Sequence, residues 1–576
     1  MCVLLKNSSD VSHRATGPLT SCTSEANSRY SNMNEAVNSL WPLTLANSSL
    51  LGDILLLTFT CLAIWISGTW IYNFYLHPLR EFPGPKFAAM TDLWKAHVEL
   101  VQRRGIVEKL FELHSVYGDI VRIGPNELHF ANPTAYDDIY NTNNRWTKEK
   151  YMYMVFGEPG ANYSSFTTRD YATAKKRKDV LTPLFSRRAI IELQSLVQEK
   201  MTTLCDIIAV RSKEGLKSNL EQGFKCFSLD TITSFCFARS MNALRSPNFD
   251  STTIHAMKAA LPLLILFKHF PVLHWVVFAI PNWVNALLNP TLKGYQDLGK
   301  IIEDQIDEIL FNPSILLENS EHPTIYHALI SCKVSNPTSK SSDNRNDLSQ
   351  PLSKKELLAE AWALIYAGTD TVANTLTMGC FYILDPSNVD IYDKLKTELL
   401  DAWPTFDEGV PSPTYEELEK LPYLKAVIKE SLRFSHGIIW PMNRYVPSNG
   451  AMISGVYVPG GTVVGISNAM VNLNETLYPN PLVFKPERWL GGGISDNESN
   501  KMTVADVVSF GRGPRSCLGI NLAYCDLYIA FANFFRRFHQ VEISKGAGLK
   551  EMIWKESFTY NYFGPPFEVI ATPSER

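Results

Sequence analysis

Apolar residues are spread unevenly along this chain. Residues 7–53 are rich in Ser, Asn and Thr and carry no sustained helical period, the pattern of a flexible tail. Ile54–Leu76 then runs 23 residues without a formal charge, through Ile54-Leu55-Leu56-Leu57 and Cys61-Leu62-Ala63-Ile64-Trp65-Ile66. As a helix it spans about 34 Å, enough for a hydrocarbon core of about 30 Å, so the pattern predicts a transmembrane anchor over residues 54–76. Trp65, Trp70, Tyr72 and Tyr75 gather towards its C-terminal half, where an interfacial belt forms. Residues 33–53 contain no Lys or Arg, whereas residues 77–97 carry Arg80, Lys86 and Lys95. This bias places the body that follows in the cytosol and the tail across the membrane. Phe82-Pro83-Gly84-Pro85 cannot continue a helix, and a proline-rich hinge is expected over residues 77–92.

Beyond the hinge the pattern predicts one domain over residues 93–576, mainly α with a small β part. Helical spacing covers residues 93–116 and 187–240, and residues 121–130 alternate like a short strand. Residues 261–289 are apolar but interrupted by Pro262, Pro271 and Pro281, which argues for a lid or a surface dipping into the bilayer rather than a second span. Residues 335–351 read as the clearest internal loop. Ser353 and Glu356 form a capping box that opens a helical run of about 31 residues, roughly 46 Å, ending before Asp385-Pro386. Residues 455–466 read as a hairpin.

Composition narrows the class only slightly. The 576 residues carry a formal charge of −4, which gives no sequence-wide case for nucleic-acid binding, and ten cysteines are too sparse for a disulfide scaffold. Sequons stand at Asn7, Asn47, Asn162, Asn474 and Asn497, of which only Asn7 and Asn47 fall on the lumenal side. Met33 offers an internal start that would remove residues 1–32 and alter nothing downstream.

The chemistry concentrates in Phe510-Gly511-Arg512-Gly513-Pro514-Arg515-Ser516-Cys517-Leu518-Gly519. A Gly-rich turn here presents one cysteine just before an apolar helical segment. A helix N-terminus and the upstream Arg512 and Arg515 favour its thiolate, and Gly513 and Gly519 let the backbone approach a bulky planar group. Such a thiolate serves as a soft metal ligand or a nucleophile. No CxxC partner or nearby His completes a zinc set, and no Cys/His dyad is evident.

The whole string resembles the haem-binding signature of the cytochrome P450 family, F-x-x-G-x-R-x-C-x-G, at every fixed position. Further matches follow the family order. Ala367-Gly368-Thr369-Asp370-Thr371 lies in the long helical run, Glu430-Ser431-Leu432-Arg433 is similar to the E-x-x-R motif, and Pro486-Glu487-Arg488-Trp489 to P-E-R-[FW]. The resemblance covers roughly residues 80–570. It implies a haem b whose iron takes Cys517 as axial ligand, cradled by Phe510, Gly511, Gly513 and Gly519, with Arg515 pairing with a propionate. Asp370 and Thr371 would relay protons to dioxygen, with Gly368 opening the helix over the haem. Glu430, Arg433 and Arg488 would form a structural network behind it. Arg444 is a second propionate candidate.

One departure stands out. Where the family commonly has an aromatic or His followed four residues later by Arg, this chain has Ala174 and Lys178. Lys178 keeps the charge, and Arg177 or Lys175 are neighbours that could compensate. The implied activity is a monooxygenase that inserts one atom of O2 into a lipophilic small molecule. Substrate contacts are expected from residues 261–289, Tyr366, Ala367, residues 436–440 and residues 560–563.

No nicotinamide fingerprint or flavin domain is present. Electrons would therefore come from outside, and the resemblance, together with the N-terminal anchor, implies NADPH and a separate, membrane-bound NADPH–cytochrome P450 reductase, with the protein held as a single-pass protein of the endoplasmic reticulum membrane. The motif flavour resembles fungal tailoring enzymes of secondary metabolism, of terpene or polyketide type. A reductase-independent haem-thiolate isomerase or dehydratase is one alternative, and the Asp370-Thr371 pair counts against it. A non-catalytic haem-binding relative is the other.

Overall fold

The capping box that the spacing predicts is formed: the Glu356 N–H donates to Ser353 Oγ, and Glu356 Oε2 accepts the Ser353 N–H at 2.9 Å. From it a 30-residue helix, Lys354–Ile383, runs unbroken through the body. This computed structural model describes residues 50 and 52–574, except 157–162, 289, 319, 332–351, 406–410, 492–506 and 545–551. The sequons at Asn7, Asn47, Asn162 and Asn497 and nearly all of the N-terminal tail lie outside the described residues, as does the loop over 335–351.

The chain divides into two units, residues 1–72 and 73–576, and the second contains every element of the site. A helix over Gly52–Leu76 is long and apolar enough to cross a membrane. It starts two residues earlier than the charge-free run predicts and so includes Asp53. Its last turn, Tyr72–Leu76, widens to a π-helical turn.

Six helices of the second unit matter below: α1 (Tyr171–Leu181), α2 (Leu220–Phe237), α3 (Thr252–His269), α4 (Lys354–Ile383), α5 (Pro422–Ser435) and α6 (Ile520–Arg537). Every residue of α2 is buried, and it packs along α4, the arrangement of a central core helix. The largest apolar cluster joins Leu229 and Ile232 of α2 to Val372 and Leu376 of α4 and to Leu527 and Phe531 of α6.

The predicted run over 187–240 is two helices. Arg187–Lys213 ends at Gly215, whose φ of +72° stops the helix, and Ser218–Asn219 pairs with the strand Glu568–Pro573 before Asn219 caps α2. The run over 93–116 is likewise interrupted, at Arg103 (φ +55°).

The predicted strand over 121–130 is a hairpin, β1 (Ile120–Gly124) and β2 (Glu127–Phe130), turning at Pro125-Asn126. Two short strands, β3 (Arg444–Tyr445) and β4 (Val463–Gly465), complete a sheet of order β1-β2-β4-β3, with β4 parallel to β2 and antiparallel to β3. The second predicted hairpin is displaced. Its turn lies at Ser454-Gly455 between Ala451–Ile453 and Val456–Val458, which frees 463–465 for the larger sheet.

Of the three interrupting prolines, Pro262 lies inside α3 without ending it, whereas Pro271 opens a new helix and Pro281 precedes another. Val272, Trp275, Val276, Trp283 and Leu287 of these short helices are exposed.

Candidate active site

Two short 3-10 turns, Val508–Phe510 and Gly513–Arg515, deliver Cys517 to the start of α6. The turn closes on itself: the Cys517 N–H donates to the Phe510 carbonyl at 2.8 Å and the Gly511 N–H to the Val508 carbonyl at 2.8 Å. Cys517 is exposed into a cavity of about 500 Å³, bounded on one side by residues 509–511 and 514–519 and on the other by residues 362–364, 366–368 and 370–372 of α4. Phe510, Gly511 and Gly519 line this cavity. A Cβ would meet nothing at Gly511 and only the Phe185 ring, at 3.8 Å, at Gly519.

Gly513 has a different reason. With φ +71° it packs against the end of the helix Thr134–Tyr140, where a Cβ would lie 2.3 Å from the Tyr140 carbonyl oxygen, and it does not line the cavity. The expected help for the thiolate from Arg512 and Arg515 is also absent. Arg512 pairs with Asp137 at 2.7 Å, and Arg515 donates to the Arg169 and Asp170 carbonyls. Burial pushes the Cys517 thiol up from its ordinary range, while the Gly519 N–H and the Lys178 ammonium pull it back. A metal cation at the sulfur would supply the missing counter-charge.

Beside the turn lies a concentration of cations. Lys148, Lys178, Arg515 and Arg444 form no ion pair with a carboxylate among the described residues, and the first three line the cavity. Lys148 Nζ donates to the Phe166 carbonyl and lies 4.4 Å from the centre of the Tyr153 ring. Burial, then Arg515, Arg444 and Lys178, hold its pKa well below the lysine range. Burial and Arg444 bring Arg515 down to about 10, and its buried Nε has no partner. Arg444 donates to Tyr153 Oη (2.8 Å) and the Met442 carbonyl (2.7 Å).

Lys178 turns towards the cysteine turn itself, donating to the Pro514 and Ser516 carbonyls at 3.2 and 3.3 Å. Its neighbours do not compensate for Ala174: Arg177 is bound to Glu356 and Lys175 to Asp179. The aromatic side chain at this edge is Tyr171, one turn earlier on α1, with the Arg515 guanidinium 5.7 Å from its ring centre.

Across the cavity, α4 contributes Asp370 and Thr371. Thr371 Oγ1 donates to the Ala367 carbonyl at 2.7 Å. The helix does not open at Gly368. The glycine instead admits Ile232 of α2, whose side-chain atoms would lie 2.6 to 3.0 Å from a Cβ there. Burial pushes the Asp370 carboxyl above its ordinary range.

Behind the turn, Glu430 and Arg433 of α5 are fully buried and paired at 2.8 Å, and Arg488 Nε reaches Glu430 at 3.1 Å. None of the three lines the cavity.

The structure brings together a cysteine turn and a facing acid–hydroxyl pair, with a buried Glu–Arg–Arg network behind the turn. The family model described as Cytochrome P450 matches residues 89–560. The chain belongs to the cytochrome P450 family. It is similar to cytochrome P450 monooxygenase flvC of Aspergillus flavus, 32% identical over 545 residues covering 89% of this chain and 95% of that one. Cytochrome P450 monooxygenase sdnE of Sordaria araneosa is 33% identical over 484 residues, covering 82% and 89%. Its fold matches a crystal structure of a cytochrome P450 (CYP102L1), with TM-score 0.63 and 17% identity over 81% of this chain and 94% of that one. The chain is accordingly a monooxygenase-type oxidoreductase, and its family implies haem, dioxygen and electrons from a redox partner.

The cavity fits a haem on its own chemistry. It offers a thiol, glycines that leave space on the cavity side, and buried cations without carboxylate partners. Lys148 and Tyr171 are absent from the motif-based reading, since neither lies in a recognisable string. Lys148 reaches the site through a backbone bridge to Arg444.

We expect Lys148→Met to weaken haem retention by roughly 10- to 100-fold, the worth of one charge-assisted hydrogen bond of about 1.5–3 kcal/mol. Transfer of haem from the full-length protein to an acceptor apoprotein measures this. The cavity lining is largely apolar and includes Phe156, Phe166, Leu261, Leu264, Ile438 and Phe558. Of the segments expected to touch substrate, the described residues of 271–288 and residues 560–563 do not line it, and the turn 557–559 takes the latter's place.

Proposed function

We propose that this P450 inserts one atom of O2 into a lipophilic small molecule, as a tailoring step of terpene or polyketide type in fungal secondary metabolism. The observation that carries this reading is the opposition, across one largely apolar cavity, of Cys517 to Asp370 and Thr371. Haem, when bound through Cys517, supplies the oxygen-activating chemistry. Around it, Arg515, Lys148 and Arg444 would hold the propionates, and Phe510, Gly511 and Gly519 would border the ring. Phe156, Phe166 and Phe558 would orient the substrate and exclude water. Asp370 and Thr371 would hold the protons that oxygen cleavage consumes. The exposed helix over Gly52–Leu76, free of formal charge after Asp53, supports a single-pass anchor in the endoplasmic reticulum membrane, with residues 77–92 as hinge and 93–576 as the cytosolic catalytic domain. NADPH–cytochrome P450 reductase would be the electron donor.

Expression with such a reductase under ¹⁸O₂, with lipophilic terpenoid and polyketide precursors supplied, tests the reading. The expected result is a product carrying one ¹⁸O atom and requiring NADPH. An isomerised or dehydrated product formed without NADPH would overturn it.

Thr371→Ala removes the hydroxyl without touching the thiol. Product formation should fall by about 10²-fold, the usual contribution of a positioned proton donor, while NADPH consumption continues and hydrogen peroxide rises. Unchanged product per NADPH would exclude the relay role.

A further inference from the structure

Asp370 has company behind the cavity wall. Its Oδ1 lies 3.7 Å from Lys225 Nζ, and that ammonium lies 3.0 Å from Glu221 Oε1. Lys258 Nζ approaches the same Glu221 oxygen at 3.8 Å, and Gln222 Nε2 donates to the other at 2.9 Å. Three helices meet here: Glu221 and Lys225 one turn apart on α2, Lys258 on α3 and Asp370 on α4. Exposure of the side chains runs from 2% at Lys225 and 3% at Glu221 to 10% at Asp370 and 25% at Lys258. Two acids and two lysines make the group neutral in sum, which is what permits it in the core.

The arrangement is competitive. The charged groups facing Asp370 are Lys225, Glu221 and Lys258. Burial raises the Asp370 carboxyl, the two lysines lower it, and Glu221 raises it. Lys225 alone would fix Asp370 as an anion, but Glu221 holds the same ammonium at shorter range.

We propose that Lys225 is a positioning residue for proton delivery by Asp370, and that Glu221, shared with Lys258, limits the hold of Lys225 on the Asp370 carboxylate. The proposal rests on the monooxygenase reading. It requires substitutions on the two sides of the group to act with opposite sign. Removing Lys225 frees the carboxyl to take up a proton at higher pH. Removing Glu221 leaves both lysines to Asp370, which then takes up a proton only at lower pH.

The test uses the full chain in membranes with NADPH and reductase and no added substrate. Release of hydrogen peroxide consumes one NADPH per O2 (two electrons, two protons). Reduction to two waters consumes two NADPH (four electrons, four protons). The ratio of NADPH consumed to peroxide released therefore reads proton supply, and its pH midpoint reads the group that supplies it. Lys225→Met should move that midpoint up and Glu221→Gln should move it down, each by about one pH unit or more, the usual effect of a charge within 4–6 Å.

Midpoints unmoved, or moved in the same direction, would overturn the proposal. If Lys225→Met yields no haem-thiolate spectrum, Lys258→Met, at a partly exposed site, carries the test with a smaller upward shift, and an unmoved midpoint there overturns it equally. A wild-type protein without NADPH-dependent oxygen consumption would instead refute the monooxygenase reading, and would do so before any variant is compared.

Discussion

Replacing Cys517 with alanine is expected to abolish the thiolate-type band in a reduced, carbon-monoxide difference spectrum, together with all NADPH-dependent turnover, in a protein that still folds. The turn around Cys517 is shaped by its backbone. The Cys517 N–H bond to the Phe510 carbonyl and the positive φ angles of Gly511 and Gly513 are all open to alanine at position 517. The sulfur faces the cavity rather than the core, so removing it leaves no void in packed apolar surroundings. Membranes carrying wild type and variant at matched expression make the comparison, with protease resistance as the measure of folding. A band retained by the variant would refute Cys517 as the ligand. A well-expressed wild type without the band would favour the non-catalytic relative and direct attention to Ala174, where the family's aromatic or His is missing.

The second large effect is on stability. Glu430→Ala should cost about 3–5 kcal/mol, because it strands charged partners in the core. The carboxylate accepts from Arg433 Nε and Nη2, Arg488 Nε, the Lys485 N–H and Trp489 Nε1, at 2.8 to 3.1 Å. Against a typical total stability of about 5–15 kcal/mol, that loss removes much of the folded population. Holoprotein yield at 20 and 37 °C, followed by the same difference spectrum, reads it. Since Glu430 does not line the cavity, turnover per haem in whatever folds should match wild type. Reduced turnover per haem at normal yield would instead give Glu430 a role in the reaction.

Much of the site was legible because its chemistry sits in short strings. Spacing alone puts Cys517 at a helix start and Glu430 and Arg433 on one helical face, and the structure has both. What escaped depends on tertiary meetings. Lys148 reaches Arg444 across nearly 300 positions of chain, and no local period marks it. Glycines were seen but misassigned: Gly368 admits Ile232 rather than opening its helix, and Gly513 serves close approach to the Tyr140 carbonyl rather than the cavity. The alternation over 121–130 hid a hairpin because Pro125-Asn126 turns the chain without breaking the apolar pattern. Ion pairs on the fully buried α2 were equally invisible, since burial of Glu221 and Lys225 follows from what packs around them.

Glu356 performs two tasks with one carboxylate. It closes the first turn of α4 with Ser353, and it holds Arg177 of α1, 179 positions away, in a buried ion pair. A change at 356 that kept the helix start would still orphan the guanidinium, and a change at 177 would leave an anion buried in the helix cap. The two positions are therefore not free to drift separately. Across descendants of this sequence they should be exchanged together or not at all, tying the helix that bears the acid–hydroxyl pair to the one beside the cysteine turn as a single heritable unit.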